Sequence, residues 1–435
     1  MKLARVEAGS FDWRRNASAD DEAVRRVAEM VAQVRREGDR ALRRYTEEFD
    51  DPGLAGRAWT LGVDPADLER AWATLDAPLQ RALERAADRI RRFHERQRPE
   101  DVQAAGSDGE RMGMTWRPLR RAGVYAPGGR AAYPSTVLMN VIPAQVAGVD
   151  EVVLVSPPQR GTGLPHPLVM AAAHLLGVRE VYRVGGAQAI AALAYGTESV
   201  ARVDKIAGPG NLYVALAKRL VMGDVGIDSV AGPSEVFIVT DETADARFVA
   251  ADLLAQAEHD PEAGAVLVTV DAGLADAVER ELERQLADLP RREIARAALE
   301  RWGAVVVAPT LEEAIEVVNR SAPEHVELLV REPDRWLPRV RAAGAVFLGA
   351  HTPEPVGDYY AGPNHVLPTH GTARFASGLG VLDFMRRMTW VAYTPEALER
   401  HRADIVALAE AEGLAAHARA VTIRAEGGSR DGGSE

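Results

Sequence analysis

The chain has 435 residues and a mass of 46.9 kDa, more than one hydrophobic core organises, so two or more domains are expected. It is 47% hydrophobic and 27% charged, an ordinary globular balance, with a net charge of −12 that weighs against a nucleic-acid partner. It contains no cysteine, which rules out disulfides and suits a reducing cytoplasm.

The first residues, Met1 to Glu7, have no apolar run of signal-peptide length. Residues 19–38 and 64–97 read as amphipathic, Arg-rich helices, the second opened by Asp64 and Pro65 as cap and first-turn residue. From about 111 to 240 short β-rich runs alternate with helices. The runs are 122–125, 152–156, 181–184 and 236–240, and the helices lie near 135–147, 167–176, 187–195 and 210–222. The longest apolar stretch, 131–149, is interrupted by Pro134, Asn140, Pro143 and Gln145, so it reads as a buried helix rather than a membrane span.

A second series follows, with strands at 265–270, 304–308, 326–330 and 345–348 and helices at 272–288 and 310–320. Continuously apolar strands separated by helices indicate parallel sheets covered on both faces. The expected architecture is therefore two doubly wound α/β lobes, residues 121–235 and 236–378. Residues 1–120 supply helices with no sheet of their own and are expected to pack on the second lobe. Residues 379–435 are expected to be helical, with Thr394-Pro395-Glu396 as a helix start and residues 425–435 as a frayed tail.

Several polar groups stand out against this frame. Gln256 and His259 are three residues apart near a helix end marked by Pro261, so both can offer donors from one face. With no thiolate in the chain, a cation held here needs nitrogen and oxygen ligands, as zinc enzyme sites provide. The same spacing also fits a histidine favoured by the helix dipole. Glu324 and His325 enter the run 326–330. Adjacent residues there point to opposite faces, so they suit two acid/base groups around one substrate better than two ligands of one ion. A polar loop before a strand is the plain alternative.

Asp358 lies in the Gly- and Pro-rich run 353–368, which shows no secondary-structure period and is long enough for a site loop. Glu412 and His417 flank Gly413 between two short helices, where exposed polar residues are equally expected. His365 and His370 are second-tier candidates in the site loop, and His94, among arginines, reads as solvated. Three glycine turns, Tyr125-Ala-Pro-Gly-Gly, Gly185-Gly186-Ala-Gln188 and Gly208-Pro-Gly210-Asn211, stand between strands and helices, where free backbone N–H groups suit a pyrophosphate. None is Gly-x-Gly-x-x-Gly, so the dinucleotide fingerprint fails.

Taken together, Gly123-Val-Tyr-Ala-Pro-Gly-Gly129, Val184-Gly-Gly-Ala-Gln-Ala-Ile-Ala-Ala-Leu193 and Val203-Asp-Lys-Ile-Ala-Gly-Pro-Gly-Asn211 resemble histidinol dehydrogenase. So do Ala231-Gly-Pro-Ser-Glu235, Gln256-Ala-Glu-His259, Pro323-Glu-His325 and Asn364-His-Val-Leu-Pro-Thr369, in order over residues 20–424. The resemblance implies two incomplete Rossmann-like lobes in a cytoplasmic homodimer of histidine biosynthesis. It implies oxidation of L-histidinol through the aldehyde to L-histidine, with two NAD⁺ and one Zn²⁺ per subunit.

Matched residue by residue, Gln256, His259, Asp358 and His417 resemble the zinc ligands, and Glu324 and His325 the proton-transfer pair. Ser234 and Glu412 join these residues in substrate contact, while Tyr125, Gln188 and Asn211 match the NAD contacts. The C-terminal segment is implied to cross to the dimer partner, so that Glu412 and His417 complete the other subunit's site. Rival readings are a relative on the same scaffold oxidising another polar alcohol, a zinc hydrolase, and a non-catalytic metal- or nucleotide-binding protein.

Overall fold

A computed structural model describes residues 2–13, 21–128 and 132–427. The chain divides into two compact units, Met1–Gln97 with Leu119–Phe384, and Arg98–Pro118 with Met385–Glu435. Strand β1 (Ala4–Glu7) is followed by helices α1 (Asp21–Glu37), α2 (Asp39–Tyr45), α3 (Pro65–Ala73) and α4 (Ala77–Glu95), then by β2 (Val102–Ala105) and β3 (Arg111–Pro118).

The first lobe alternates β4 (Arg121–Tyr125), α5 (Pro134–Ala147), β5 (Glu151–Ser156), α6 (Pro167–Leu175), β6 (Glu180–Arg183), α7 (Gly186–Tyr195), β7 (Lys205–Ala207), α8 (Leu212–Val221) and β8 (Gly226–Ile227). Its strands form one parallel sheet in the order β6-β5-β4-β7-β8. β4 is buried along its whole length, as an inner strand covered on both faces must be.

The second lobe runs β9 (Glu235–Thr240), α9 (Ala246–Ala257), β10 (Gly264–Thr269), α10 (Ala272–Leu286), α11 (Arg292–Trp302), β11 (Gly303–Val307), α12 (Leu311–Ser321), β12 (His325–Leu329), α13 (Pro333–Trp336), β13 (Ala345–Leu348) and α14 (Glu354–Tyr359). Its parallel sheet has the order β1-β11-β10-β9-β12-β13. The two doubly wound α/β lobes expected from the alternating pattern are present.

The N-terminal helices lie elsewhere than expected. They pack on the first lobe, α1 against α7 and α8, α3 against α6, and α4 against α5. Val27, Met30, Val31 and Val34 of α1 share a core with Val153, Ile190 and Leu193. The apolar stripe of an amphipathic helix goes where a helical layer still exposes apolar surface, and here that layer is α7 and α8. β1 instead joins the second lobe, as an edge strand paired with β11, and Ala8, Phe11 and Trp13 after it pack on the core around Phe237. His94 is another departure: it is fully buried on α4, with Nδ1 2.8 Å from the Ile90 carbonyl oxygen.

The second unit holds a three-stranded antiparallel sheet in the order β14-β3-β2, where β14 is Met385–Ala392, and two helices, α15 (Pro395–Ala411) and α16 (Ala415–Gly427). β14 stands where a helical stretch was expected. The Thr394 hydroxyl caps α15 by accepting from the Ala397 N–H, as its sequence signature implies. Of the tail expected to fray, residues 428–435 lie outside the described residues, as does Gly129 of the first glycine turn.

Candidate active site

The irregular turn before β12 sets up the site. Ala322 takes a left-handed conformation at the end of α12, with φ of 47°, and Pro323 follows. The chain therefore enters β12 so that the Glu324 and His325 side chains meet, with Oε2 to Nδ1 at 3.8 Å, although a regular strand would turn them to opposite faces. Both residues are buried. Glu324 accepts from the Glu235 backbone N–H at 3.0 Å and from the Ser234 hydroxyl, which places Ser234 at the same corner.

Two further carboxyl groups face the imidazole. Glu354 Oε1 lies 3.7 Å from His325 Nδ1, and Asp358 Oδ1 lies 4.0 Å from Nε2. Neither ring nitrogen is hydrogen-bonded by a side chain. Glu354 and Asp358 sit four apart on α14, a short helix where a loop without period was expected, and four-residue spacing places both on one face. His259, just past the end of α9, completes the group: ligand atoms of His259, Glu354 and Asp358 all lie within 4.8 Å of one another. One turn earlier, Gln256 is fully buried with neither side-chain polar atom bonded.

The electrostatics of this corner are dominated by burial. Desolvation pushes His325 down to about 3 and His259 below its ordinary range, so both imidazoles are neutral at neutral pH. It pushes Asp358 up to about 7 and raises Glu324 and Glu354 well above the carboxylate range, with neighbouring carboxylates adding repulsion. Behind them Glu327, on the same face of β12 as His325, is pushed up to about 9 by burial and by Asp252. His365 supports Asp358 from outside, its Nδ1 3.1 Å from the Asp358 carbonyl oxygen.

The converging His259, Glu354 and Asp358 form a donor set of nitrogen and oxygen that suits a divalent cation, and the unbonded Gln256 amide one turn before His259 is a further donor of that kind. A cleft of about 420 Å³ opens beside it, lined by His259, Tyr359, Tyr133, Leu138 and Leu83.

The first lobe carries a larger cleft of about 820 Å³ at the C-terminal ends of its strands, and Tyr125, Gln188 and Asn211 all line it. Gly208 comes so close to β4 that a Cβ there would lie 2.1 Å from the Tyr125 carbonyl oxygen, at a φ of +114°. A buried ion pair between Lys218 and Asp228 holds this turn: Asp228 accepts from the Gly208 N–H at 2.7 Å and Lys218 donates to the Gly208 carbonyl at 3.1 Å. The Tyr125 hydroxyl accepts from the Gly186 N–H at 3.2 Å. Gln188 is 1% exposed and its Oε1 has no partner. Asn211 caps α8 through Val214 N–H, so its side chain also shapes the cleft wall.

Glu412 and His417 lie in the second unit, flanking Gly413, and both are exposed there. Gly413 has a φ of +74° and ends α15, with the Leu414 N–H donating to the Ala409 carbonyl at 2.8 Å. Of the residues singled out in the sequence, the structure thus brings Ser234, Glu324, His325, His259 and Asp358 to one corner and Tyr125, Gln188 and Asn211 to one cleft. Glu354, Glu327 and Asp50, which lines the larger cleft, were missed. Glu327 had a visible signal, an acid two residues from His325 within an otherwise apolar strand.

A parallel α/β scaffold with a cleft of about 820 Å³ at its strand ends and a buried imidazole–carboxyl corner has the makings of an enzyme site. Comparison with known proteins narrows this. A family model described as histidinol dehydrogenase matches residues 13–425. A histidinol dehydrogenase of Geobacillus kaustophilus is 53% identical over 428 residues, 98% of this chain and 100% of that one. One of Halalkalibacterium halodurans is 53% identical over 400 residues, 92% and 93% of the two chains. The crystal structure of histidinol dehydrogenase from Elizabethkingia anophelis is 35% identical, with a TM-score of 0.92 and 98% of each chain covered. The chain belongs to the histidinol dehydrogenase family.

Proposed function

We propose that this chain oxidises L-histidinol to L-histidine through the aldehyde, using two NAD⁺ and one zinc per subunit, as a step of cytoplasmic histidine biosynthesis. The observation that carries the reading is His325. It is a buried, neutral imidazole with neither nitrogen bonded by a side chain, set against Glu324, Glu354 and Asp358 at 3.7 to 4.0 Å.

Zinc fits Gln256, His259 and Asp358, with His417 of the partner subunit as the fourth ligand, and would orient the substrate's imidazole and amine there. NAD⁺ fits the cleft lined by Tyr125, Gln188 and Asn211 and would supply the hydride acceptor there. The exposure of Glu412, His417 and the apolar Leu408 and Val391 in the second unit supports a homodimer in which each C-terminal segment completes the other subunit's site.

Proton management falls to this chain's own side chains. His325 Nε2, on the side of Asp358, takes the carbinol hydroxyl proton as hydride leaves the same carbon. Its Nδ1 faces Glu324 and Glu354 at 3.8 and 3.7 Å, where an ionised carboxylate would stabilise the imidazolium as it forms. Glu324, held by Ser234 and the Glu235 N–H, then draws the proton from the water that hydrates the aldehyde, and His325 serves again in the second oxidation. Burial of the whole corner keeps bulk water from the reactive aldehyde. A hydrolase would have no use for the second cleft and its unbonded Gln188 oxygen.

The test is absorbance of NADH on adding histidinol. Two equivalents per substrate are expected, and none would overturn the reading.

A further inference from the structure

Asp50 is the one carboxylate among the described residues lining the larger cleft, and the sequence patterns above did not point to it. It ends a π-helical turn, Thr46–Asp50, that reaches the cleft from the N-terminal helices. The next residue anchors that turn: Asp51 Oδ2 accepts from the Gly161 N–H at 3.1 Å, in the loop after β5. Both hydrogen bonds of Asp50 fall on Oδ2, from the Gly185 N–H at 3.2 Å and from Gln188 Nε2 at 3.3 Å. Its Oδ1 and the ring of Pro157 flank Gly185, lying 3.0 and 2.6 Å from where a Cβ on that glycine would stand.

In doubly wound dinucleotide sites, the adenosine ribose lies at the end of the strand next to the first, and an acid there takes its hydroxyls. In this lobe that strand is β5. It ends Ser156-Pro157-Pro158-Gln159-Arg160, with no acid. Asp50 stands beside Pro157 at that position, supplied by a segment about a hundred residues earlier in the chain. Burial pushes its carboxyl up to about 6, which leaves it ionised at pH 8. Arg26 and Arg160 line the same cleft and suit the pyrophosphate. The unbonded Gln188 Oε1, next to Asp50, offers a second acceptor.

We propose that Asp50 is the ribose-binding and specificity-determining acid of this cleft, accepting the adenosine ribose hydroxyls of the dinucleotide and repelling a 2′-phosphate. This rests on the NAD reading above. Two measurements test it. In calorimetry on the wild-type protein, ADP-ribose should bind at least about 10-fold more tightly than 2′-phospho-ADP-ribose, since like charges in a desolvated site are costly. In D50N, which keeps an acceptor for Gly185, KM for NAD should rise about 10-fold or more while kcat changes far less. The preference for NAD over NADP should fall by a similar factor.

Equal binding of the two ADP-ribose forms overturns the proposal even if D50N does not fold. So does a folded D50N with unchanged KM and preference while the wild type still forms NADH. No binding of ADP-ribose and no NADH from the wild type would instead overturn the NAD reading itself.

Discussion

His325 Nδ1 and Glu354 Oε1 face each other at 3.7 Å inside the protein, too far apart for a hydrogen bond, and no side chain bonds the ring. A structural buried histidine would have its nitrogens satisfied, because leaving one unbonded costs about 1–3 kcal/mol. Here no side chain satisfies either, as a group that exchanges protons with a bound molecule would require. H325N keeps the volume of the side chain and removes the basic nitrogen. Its kcat should fall by about two decades or more, the scale expected for loss of a general base, with KM for NAD little changed. Near-normal turnover removes His325 from that role.

Gln256 poses the same problem in sharper form, since both its amide atoms are buried and unbonded. If a cation satisfies the oxygen, the residue weakens the metal-free protein and strengthens the loaded one. Q256L should therefore stabilise the metal-free protein by on the order of 1 kcal/mol or more, read as a higher Tm. It should also abolish the rise in Tm that added zinc gives the wild type. H259N should lose stoichiometric zinc by elemental analysis. A zinc-dependent rise that survives in Q256L takes that residue out of the ligand set.

The legible parts of this fold were those written in local pattern. β5, β9 and β10 are uninterrupted apolar runs between helices, and their parallel pairing followed from that alone. β14 was hidden because its sheet exposes residues on both faces, so Arg386 and Arg387 break any alternation. β1 is four mostly exposed residues whose pairing partner, β11, lies almost 300 positions away. The site divides the same way. His325 and Asp358 sit in recognisable strings, whereas Glu354 and Asp50 matter through what tertiary structure sets beside them. Their neighbours His259 and Gly185 come from distant segments.

The exposure of Glu412 and His417 in the second unit bears on subunit structure. If each completes the site of a partner, a protein inactive through H259N and one inactive through a His417 substitution carry defects in different halves of one site. Mixed and allowed to exchange subunits, they should form heterodimers with one intact site and recover part of the wild-type activity. A site built within one chain gives no recovery, so verified exchange without activity would rule out sharing.

Glu327 connects the site to stability. Its carboxyl is fully buried, accepts from the Glu354 N–H at 2.8 Å through Oε1, and bonds to the Asp252 side chain. Folding raises its pKa from an ordinary 4.5 to about 9. Between those values the folded state holds a proton that the unfolded state has released. Stability is therefore fully present below about pH 4.5 and is lost as pH rises toward 9. E327Q copies the protonated acid, since its Oε1 can accept from Glu354 and its Nε2 can donate to Asp252, and it takes up no proton on folding. In metal-free protein unfolded by urea, E327Q and wild type should be nearly equal at pH 5. The variant should then gain steadily, reaching a few kcal/mol by pH 8. Parallel stability curves across that range would show that Glu327 ionises in the folded protein as it does in water.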